Sequence, residues 1–277
     1  KKSAHTEVKE KSTMIKFIAC DLDGTLLNEK KELPHDFDEI IEKLHRRGIK
    51  FAVSSGRQYE TVFTQFEKYK DSLTFIVENG AMVYENGKRI LCNPLDKAQA
   101  KEILSVLKNE PGLYSIACGV HGAFGEAENE THIQNVIMYY LNYRTVDDVA
   151  ERSVDDDLLK IAVYDDETSE KHCYPLLKNY YDTANVLVSG EHWLDIMRKG
   201  VTKGSAIEQI QKLYGYKPEE CMAFGDFMND ADMMRVCAES YAVENAHPDL
   251  KVLCKYVCES NDNEGVTRTI RKVVLGE

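Results

Sequence analysis

The chain has 277 residues, with 47 acidic against 35 basic side chains and a formal charge of −12. That length suits two domains and a sizeable core. The acidic balance argues against nucleic acid or an anionic membrane as partner, because such surfaces are held by clustered lysine and arginine, but it leaves room for a small anion gripped by a few converging cations.

Residues 1–13, KKSAHTEVKEKST, are polar and lack the apolar centre of a secretory signal, so they read as a disordered arm or an expression remnant. No stretch reaches the roughly 18 apolar residues that span a bilayer. The 8 cysteines are scattered without a disulfide or zinc framework; Cys254 and Cys258 are near in sequence, but no second pair follows them. Reduced thiols in a cytoplasmic protein are expected.

From Met14 the chain alternates short β-rich runs with amphipathic segments, the pattern of an α/β fold with a largely parallel sheet. IKFIACD is a continuous apolar run and predicts a buried strand. HDFDEIIEKLHRRG follows, with Phe37, Ile40, Ile41 and Leu44 at helical spacing and Gly48 as the stop. IKFAVSS is a second strand and QYETVFTQFEKY a second helix. Asn86-Gly87 between two β-prone runs predicts a hairpin. From Pro94 to Asp195 the pattern changes to its own helices (DKAQAKEILSVLKN, THIQNVIMYYLNY, EKHCYPLLKNYY) and strands (LYSIACGV, LLKIAVY, NVLVSGEHWLDIM). Strand and helix units then resume. The simplest architecture is a doubly wound core from 14–93 and 196–277, helices on both faces, interrupted by an α+β domain at 94–195.

FIACDLDGTLL raises the chemical question. Residues two apart on a strand share a face, so Asp21 and Asp23 are expected together where the strand ends, the edge at which open parallel sheets bind ligands. Two carboxylates there repel unless a cation or a shared proton offsets them, and Mg²⁺ suits an all-oxygen set that must also meet phosphate. Gly24 permits a sharp turn and Thr25 can hydrogen-bond within it. A solvated acidic turn is the competing reading. A calcium loop fits less well, because Leu26 stands where that loop needs glycine. Three later stretches add weight: Ser54, Ser55 and Gly56 ending a strand, Lys203 at a helix start in VTKGSAI, and Asp226, Asn229 and Asp230 in FGDFMNDADMM. Each has a bland alternative, respectively a common strand end, a surface charge and a helix-capping turn.

In this order the four segments resemble the haloacid dehalogenase superfamily of phosphatases, in its Cof-type branch (subclass IIB) with a large C2-type cap between the second and third motifs. The resemblance spans Met14 to the C-terminus. It implies a Rossmann-like core, Mg²⁺, and a phospho-aspartate on Asp21. Asp23 would protonate the leaving alkoxide and then activate water, which requires a raised pKa at Asp23. It further implies phosphate contacts from the Leu22 backbone, Ser55, Gly56, Lys203 and Asn229, a metal held by Asp21, Asp23 and Asp226, and Asp230 supporting that metal shell.

The expected substrate is a small phosphorylated metabolite such as a sugar phosphate. A phosphomutase of phosphomannomutase type and a non-catalytic phosphometabolite-binding protein are the alternatives; the mutase needs basic residues in the insert, where Arg144 and Arg152 are the only arginines between Pro94 and Asp195. Trp193 reads as strand packing or junction rather than a substrate platform, His121 and His132 as ordinary polar groups, the tyrosines of IMYYLNY and LLKNYYD as packing on the insert's sheet, and NDNEGV near residue 261 as a loop by the catalytic face.

Overall fold

The computed structural model describes residues 14–126 and 140–277. The N-terminal arm, His132 and most of the helix expected from THIQNVIMYYLNY lie outside the described residues.

Strands β1 (Phe17–Asp21), β2 (Lys50–Ser54) and β3 (Leu73–Val77) run parallel at the centre of an eight-stranded sheet. Beyond β1 the sheet continues in parallel through β12 (Cys221–Gly225), β13 (Glu239–Val243) and β14 (Tyr256–Cys258). Beyond β3 it turns antiparallel through β4 (Met82–Glu85) and β5 (Lys88–Cys92). The order is β14-β13-β12-β1-β2-β3-β4-β5, a doubly wound α/β arrangement. All five residues of β1 and of β12 are buried, the reason these runs are apolar without alternation. Helix α1 (Phe37–Arg46) buries Phe37, Ile40, Ile41 and Leu44, the four positions its spacing singles out. Asn86 and Gly87 both take positive φ between β4 and β5, as a two-residue hairpin turn demands. Helix α2 spans Tyr59–Phe66.

The second sheet has six strands: β6 (Leu113–Gly119), β7 (Gly122–Glu126), β8 (Tyr143–Val146), β9 (Leu158–Asp165), β10 (Ala184–Val188) and β11 (Trp193–Arg198), in the order β10-β11-β9-β6-β7-β8. Every described pairing is antiparallel except β7 with β8. Helices α3 (Lys97–Leu107) and α4 (Val149–Arg152) pack through Ile103, Leu104, Leu107 and Val149 into a separate apolar cluster with Phe124, Ile161 and Ile196. Strand β11 runs across the seam expected at 195/196 and stays paired in this sheet to Arg198. The helix expected from EKHCYPLLKNYY shrinks to α5 (Cys173–Leu176) and a single 3₁₀ turn at Lys178–Tyr180, with Tyr174 stacked on Tyr181 at 4.7 Å. Pro175 supplies no backbone N–H for an earlier turn to capture.

The remaining α-helices among the described residues are α6 (Lys203–Tyr214), α7 (Ala231–Val236), α8 (Pro248–Leu253) and α9 (Gly265–Thr269), the last continuing into a π-helix at Ile270–Leu275. All eight cysteines are unpaired, five of them buried. Among the described residues no helix is long and apolar enough to cross a membrane.

One close approach ties the start of α6 to the loop after β3. Gly80 has φ +95°, and a β-carbon there would lie 2.2 Å from the Thr202 carbonyl oxygen. Gly80→Ala is expected to cost roughly 2–4 kcal/mol, from left-handed strain plus a backbone clash. A urea midpoint unchanged from the parent would show that the two segments can part without cost.

Candidate active site

Four parallel strands deliver their ends to one edge of the large sheet. Strand β1 ends in Asp21, β2 in Ser54 before Ser55, β3 in Val77 before Glu78, and β12 in Gly225 before Asp226. Asp21 and Ser54 are direct partners in register. Here the ends face a cavity of about 290 Å³ whose lining includes Asp21, Asp23, Ser55, Gly56, Asp226 and Asn229 from the core, and Tyr140, Lys160, Ser189, Trp193 and Asp195 from the insert.

Lys203 is placed by a well-formed helix start. Thr202 caps α6, its hydroxyl accepting from the Ser205 N–H while Ser205 accepts from the Thr202 N–H. The ammonium of Lys203, with no side-chain exposure, donates to Asp21 Oδ1 at 2.5 Å and Asp230 Oδ1 at 2.7 Å. The second oxygen of Asp230 accepts from the Asp226 N–H at 3.0 Å, so Asp230 braces the loop that carries Asp226. Asp226 Oδ1 accepts from the Thr25 hydroxyl. Gly24 makes this approach possible: a β-carbon there would lie 2.5 Å from Asp226 Oδ2.

Asp21, Asp226 and Asp230 each bring one carboxylate oxygen to within 4.8 Å of the others. Burial first, then the Asp230 charge, pushes the Asp21 carboxyl well above the ordinary range, against the pull of Lys203. The same two causes push Asp226 up to about 6. Burial works against the charge of Lys203, but Asp21 and Asp230 outweigh it and hold its pKa above the usual value. Three carboxylates thus share one buried cation, and the set lacks positive charge. An all-oxygen set with that deficit fits Mg²⁺.

Asp23 departs from expectation. Its carboxylate does not join Asp21 but pairs with Arg57 at 2.5 Å and Lys31 at 2.8 Å. Burial raises its pKa, yet the hydrogen bond from Lys31 and the charge of Arg57 prevail and hold it below the ordinary carboxylate value, not above it. The repulsion around Asp21 therefore comes from Asp230 and Asp226. With its carboxylate committed to two cations, the Asp23 side chain is also not part of the acidic cluster that fits a metal. The strand ends at Asp21, so the two-residue alternation no longer governs where Asp23 points.

Leu22 is fully buried in the core, its side chain turned from the cavity. Asn229 lines the cavity, but the hydrogen-bond partners described for Lys203 are Asp21 and Asp230. Ser55 Oγ accepts from the Arg57 N–H at 3.1 Å. Cys20 is buried beside Asp21 and donates its S–H to the Asp21 carbonyl. Trp193 does more than pack: it meets Tyr164 edge-on at 5.2 Å and also lines the cavity. His121 pairs with Asp156 at 2.9 Å, largely exposed, and is not in the cavity lining. NDNEGV forms a turn under the first motif instead of lining the cavity: Asn261 donates to the Leu27 carbonyl, and Asp262 accepts from the Glu29 N–H. Sequence reasoning missed Arg57, although it stands beside Ser55 and Gly56 in SSGR. It also missed Asn79, Lys160 and Asp195, which carry no local signal.

Residues 18–270 match the profile of the haloacid dehalogenase-like hydrolases. A 5-amino-6-(5-phospho-D-ribitylamino)uracil phosphatase of Escherichia coli is 31% identical over 95% of this chain and 97% of its own. A Bacillus subtilis phosphatase is 26% identical over 94% of this chain and 100% of its own. A crystal structure from Streptococcus mutans superposes with a TM-score of 0.85 at 26% identity, covering 94% of this chain and 99% of the other. The chain belongs to the haloacid dehalogenase-like hydrolases. It is an enzyme, a phosphatase like the relatives it matches along 97–100% of their length.

Proposed function

We propose that this phosphatase hydrolyses a small phosphorylated metabolite, a sugar or polyol phosphate, through a phospho-aspartate on Asp21. The observation that carries the reading is the buried Asp21 carboxylate, held by Lys203 and facing the cavity beside Ser55. Asp21 attacks phosphorus while the bond from phosphorus to the leaving oxygen breaks, and that oxygen takes a proton from Asp23. Water then gives a proton to Asp23 and attacks phosphorus, the bond to Asp21 breaks, and orthophosphate leaves. Ser55, Gly56, Asn229 and the Leu22 backbone surround the phosphoryl oxygens, and Lys203 offsets charge on nucleophile and phosphate. An arriving phosphate competes for Arg57 and Lys31, the cations that keep Asp23 ionised, and so favours the protonated form the first step needs.

Asp21 and Asp226 would hold Mg²⁺, with Asp230 orienting Asp226. Bound there, the ion would lessen repulsion between the nucleophile and the incoming phosphate. Chelation followed by gel filtration should abolish turnover, and Mg²⁺ should restore it and raise the melting temperature; full activity in the chelated protein would refute the metal assignment.

The residues from 94 to 198 are the proposed cap that selects the leaving group. Aromatic Trp193 and Tyr140 beside polar Asp195 and Ser189 suit a hydroxyl-bearing organic moiety such as the ribityl group in the name of the Escherichia coli relative. Arg144 lies over the Phe124 ring, Arg152 pairs with Asp155, and neither lines the cavity, which disfavours the second phosphate a mutase would re-bind. The eight unpaired thiols support a cytoplasmic location. A panel of phosphorylated metabolites ranked by kcat/KM tests the reading; sugar bisphosphate-dependent isomerisation without phosphate release would replace it with the mutase.

A further inference from the structure

Lys160 stands in β9 of the insert, only 3% exposed, yet its ammonium reaches into the core unit. It donates to the Gly56 carbonyl at 2.9 Å and lies 3.0 Å from Glu78 Oε2. Asp195 of β11 is farther, at 3.7 Å, and its other oxygen accepts from Asn79 Nδ2 at 3.0 Å. Glu78 and Asn79 both hold positive φ, a left-handed pair that surrounding contacts must keep in place.

The loop carrying Ser55 is braced through three successive carbonyls. Ser55 C=O accepts from the Asn79 N–H and Arg57 C=O from the Glu78 N–H, both bonds within the core. The middle carbonyl, Gly56, is held by Lys160 from the insert. The opposite end of that same peptide group is the Arg57 N–H, which donates to Ser55 Oγ at 3.1 Å. A hydroxyl that accepts from an N–H keeps its single hydrogen to donate elsewhere, and a cation on the carbonyl end of the peptide polarises the N–H at the other end.

We propose that Lys160 is a positioning residue that orients and polarises the Gly56–Arg57 peptide, and so turns the Ser55 hydroxyl into a phosphate donor only while the insert is seated on the core. This rests on the phosphatase reading, since Ser55 must meet phosphate. A lysine that merely balances the buried Glu78 and Asp195 would hold the units together without reaching Ser55.

A double-mutant cycle separates the two. Wild type, Lys160→Met, Ser55→Ala and the double variant are assayed with p-nitrophenyl phosphate, and their binding of inorganic phosphate is measured by calorimetry. Lys160→Met alone is expected to lower kcat/KM and phosphate affinity about 10-fold to 100-fold, but less than about 3-fold in the Ser55→Ala background. Losses that simply multiply would overturn the proposal, as would a lower melting temperature with unchanged kcat and phosphate affinity. Should Lys160→Met fail to fold, Lys160→Met with Glu78→Gln removes the uncompensated charge and carries the same cycle. If wild type releases phosphate from neither p-nitrophenyl phosphate nor any member of the metabolite panel, the phosphatase reading fails by itself, and the phosphate-binding cycle still decides whether Lys160 acts through Ser55.

Discussion

Asp21→Asn is expected to abolish phosphate release, by on the order of 10⁴-fold or more in kcat, while leaving the fold as stable as the parent or more so. The two halves of this result have one origin. Burial and the Asp230 charge disfavour an ionised Asp21 in the folded state. A raised carboxyl pKa means that ionisation costs stability above the unfolded pKa, and the cost is relieved as pH falls. The amide keeps the shape, still faces Lys203, and removes one of three crowded negative charges. It cannot form the acyl phosphate. Steady-state turnover and thermal melting in metal-free buffer at pH 7 provide the check. A variant that turned over near the parental rate would show that Asp21 is not the nucleophile, and one that melted far lower would show that the cluster is not short of positive charge.

Lys203→Met should do the opposite to stability. Removing the cation leaves the buried Asp230 facing the nearly buried Asp21, an arrangement that costs about 3–5 kcal/mol when one partner of a buried pair is lost. For a chain of this size the melting temperature should fall on the order of 10 °C. Turnover should be lost with it, since the ammonium touches Asp21, the proposed nucleophile, directly. Added Mg²⁺ should recover part of the stability and little of the turnover, because a divalent ion can restore charge balance but not the hydrogen bond to Asp21 Oδ1. Equal melting curves for parent and variant, with and without Mg²⁺, would refute this electrostatic account.

What could be read from the chain follows the range of the forces involved. Strand β1, helix α1 and the Asn86-Gly87 turn are local: burial on both faces, a 3.6-residue period and a positive-φ dipeptide each leave a mark in a few consecutive residues. Strand β7, GAFGE, left none, because its two glycines interrupt any alternation and its place is fixed by β6 and β8 alongside. The motif residues Asp21, Ser55, Lys203 and Asp226 were legible as a set, and the structure gathers them around one cavity or its immediate edge. The direction of the Asp23 shift was not legible. Its cause lies in Arg57, 34 positions away, and in Lys31, whose side chain returns across a turn. Lys160 was equally hidden, since one lysine in LLKIAVY looks like a strand residue facing water; only its encounter with Glu78 and Gly56, in the loops after β3 and β2, shows it buried.

The thiol of Cys20 carries a last consequence. It is the immediate chain neighbour of Asp21, and a thiolate is inherently a better nucleophile than a carboxylate. Burial pushes its pKa far upward, with Asp21 adding to the effect, and its proton is spent on the Asp21 carbonyl. The stronger nucleophile is thus kept as an inert methyl-sized filler. Iodoacetamide and similar soft electrophiles should leave the catalytic edge untouched in the native protein and react first at the partly exposed Cys92, Cys254 and Cys258. Probes for the proposed Asp21 nucleophile are therefore better sought among hard species that a carboxylate oxygen can ligate, such as fluoroberyllate, than among reagents made for cysteine enzymes.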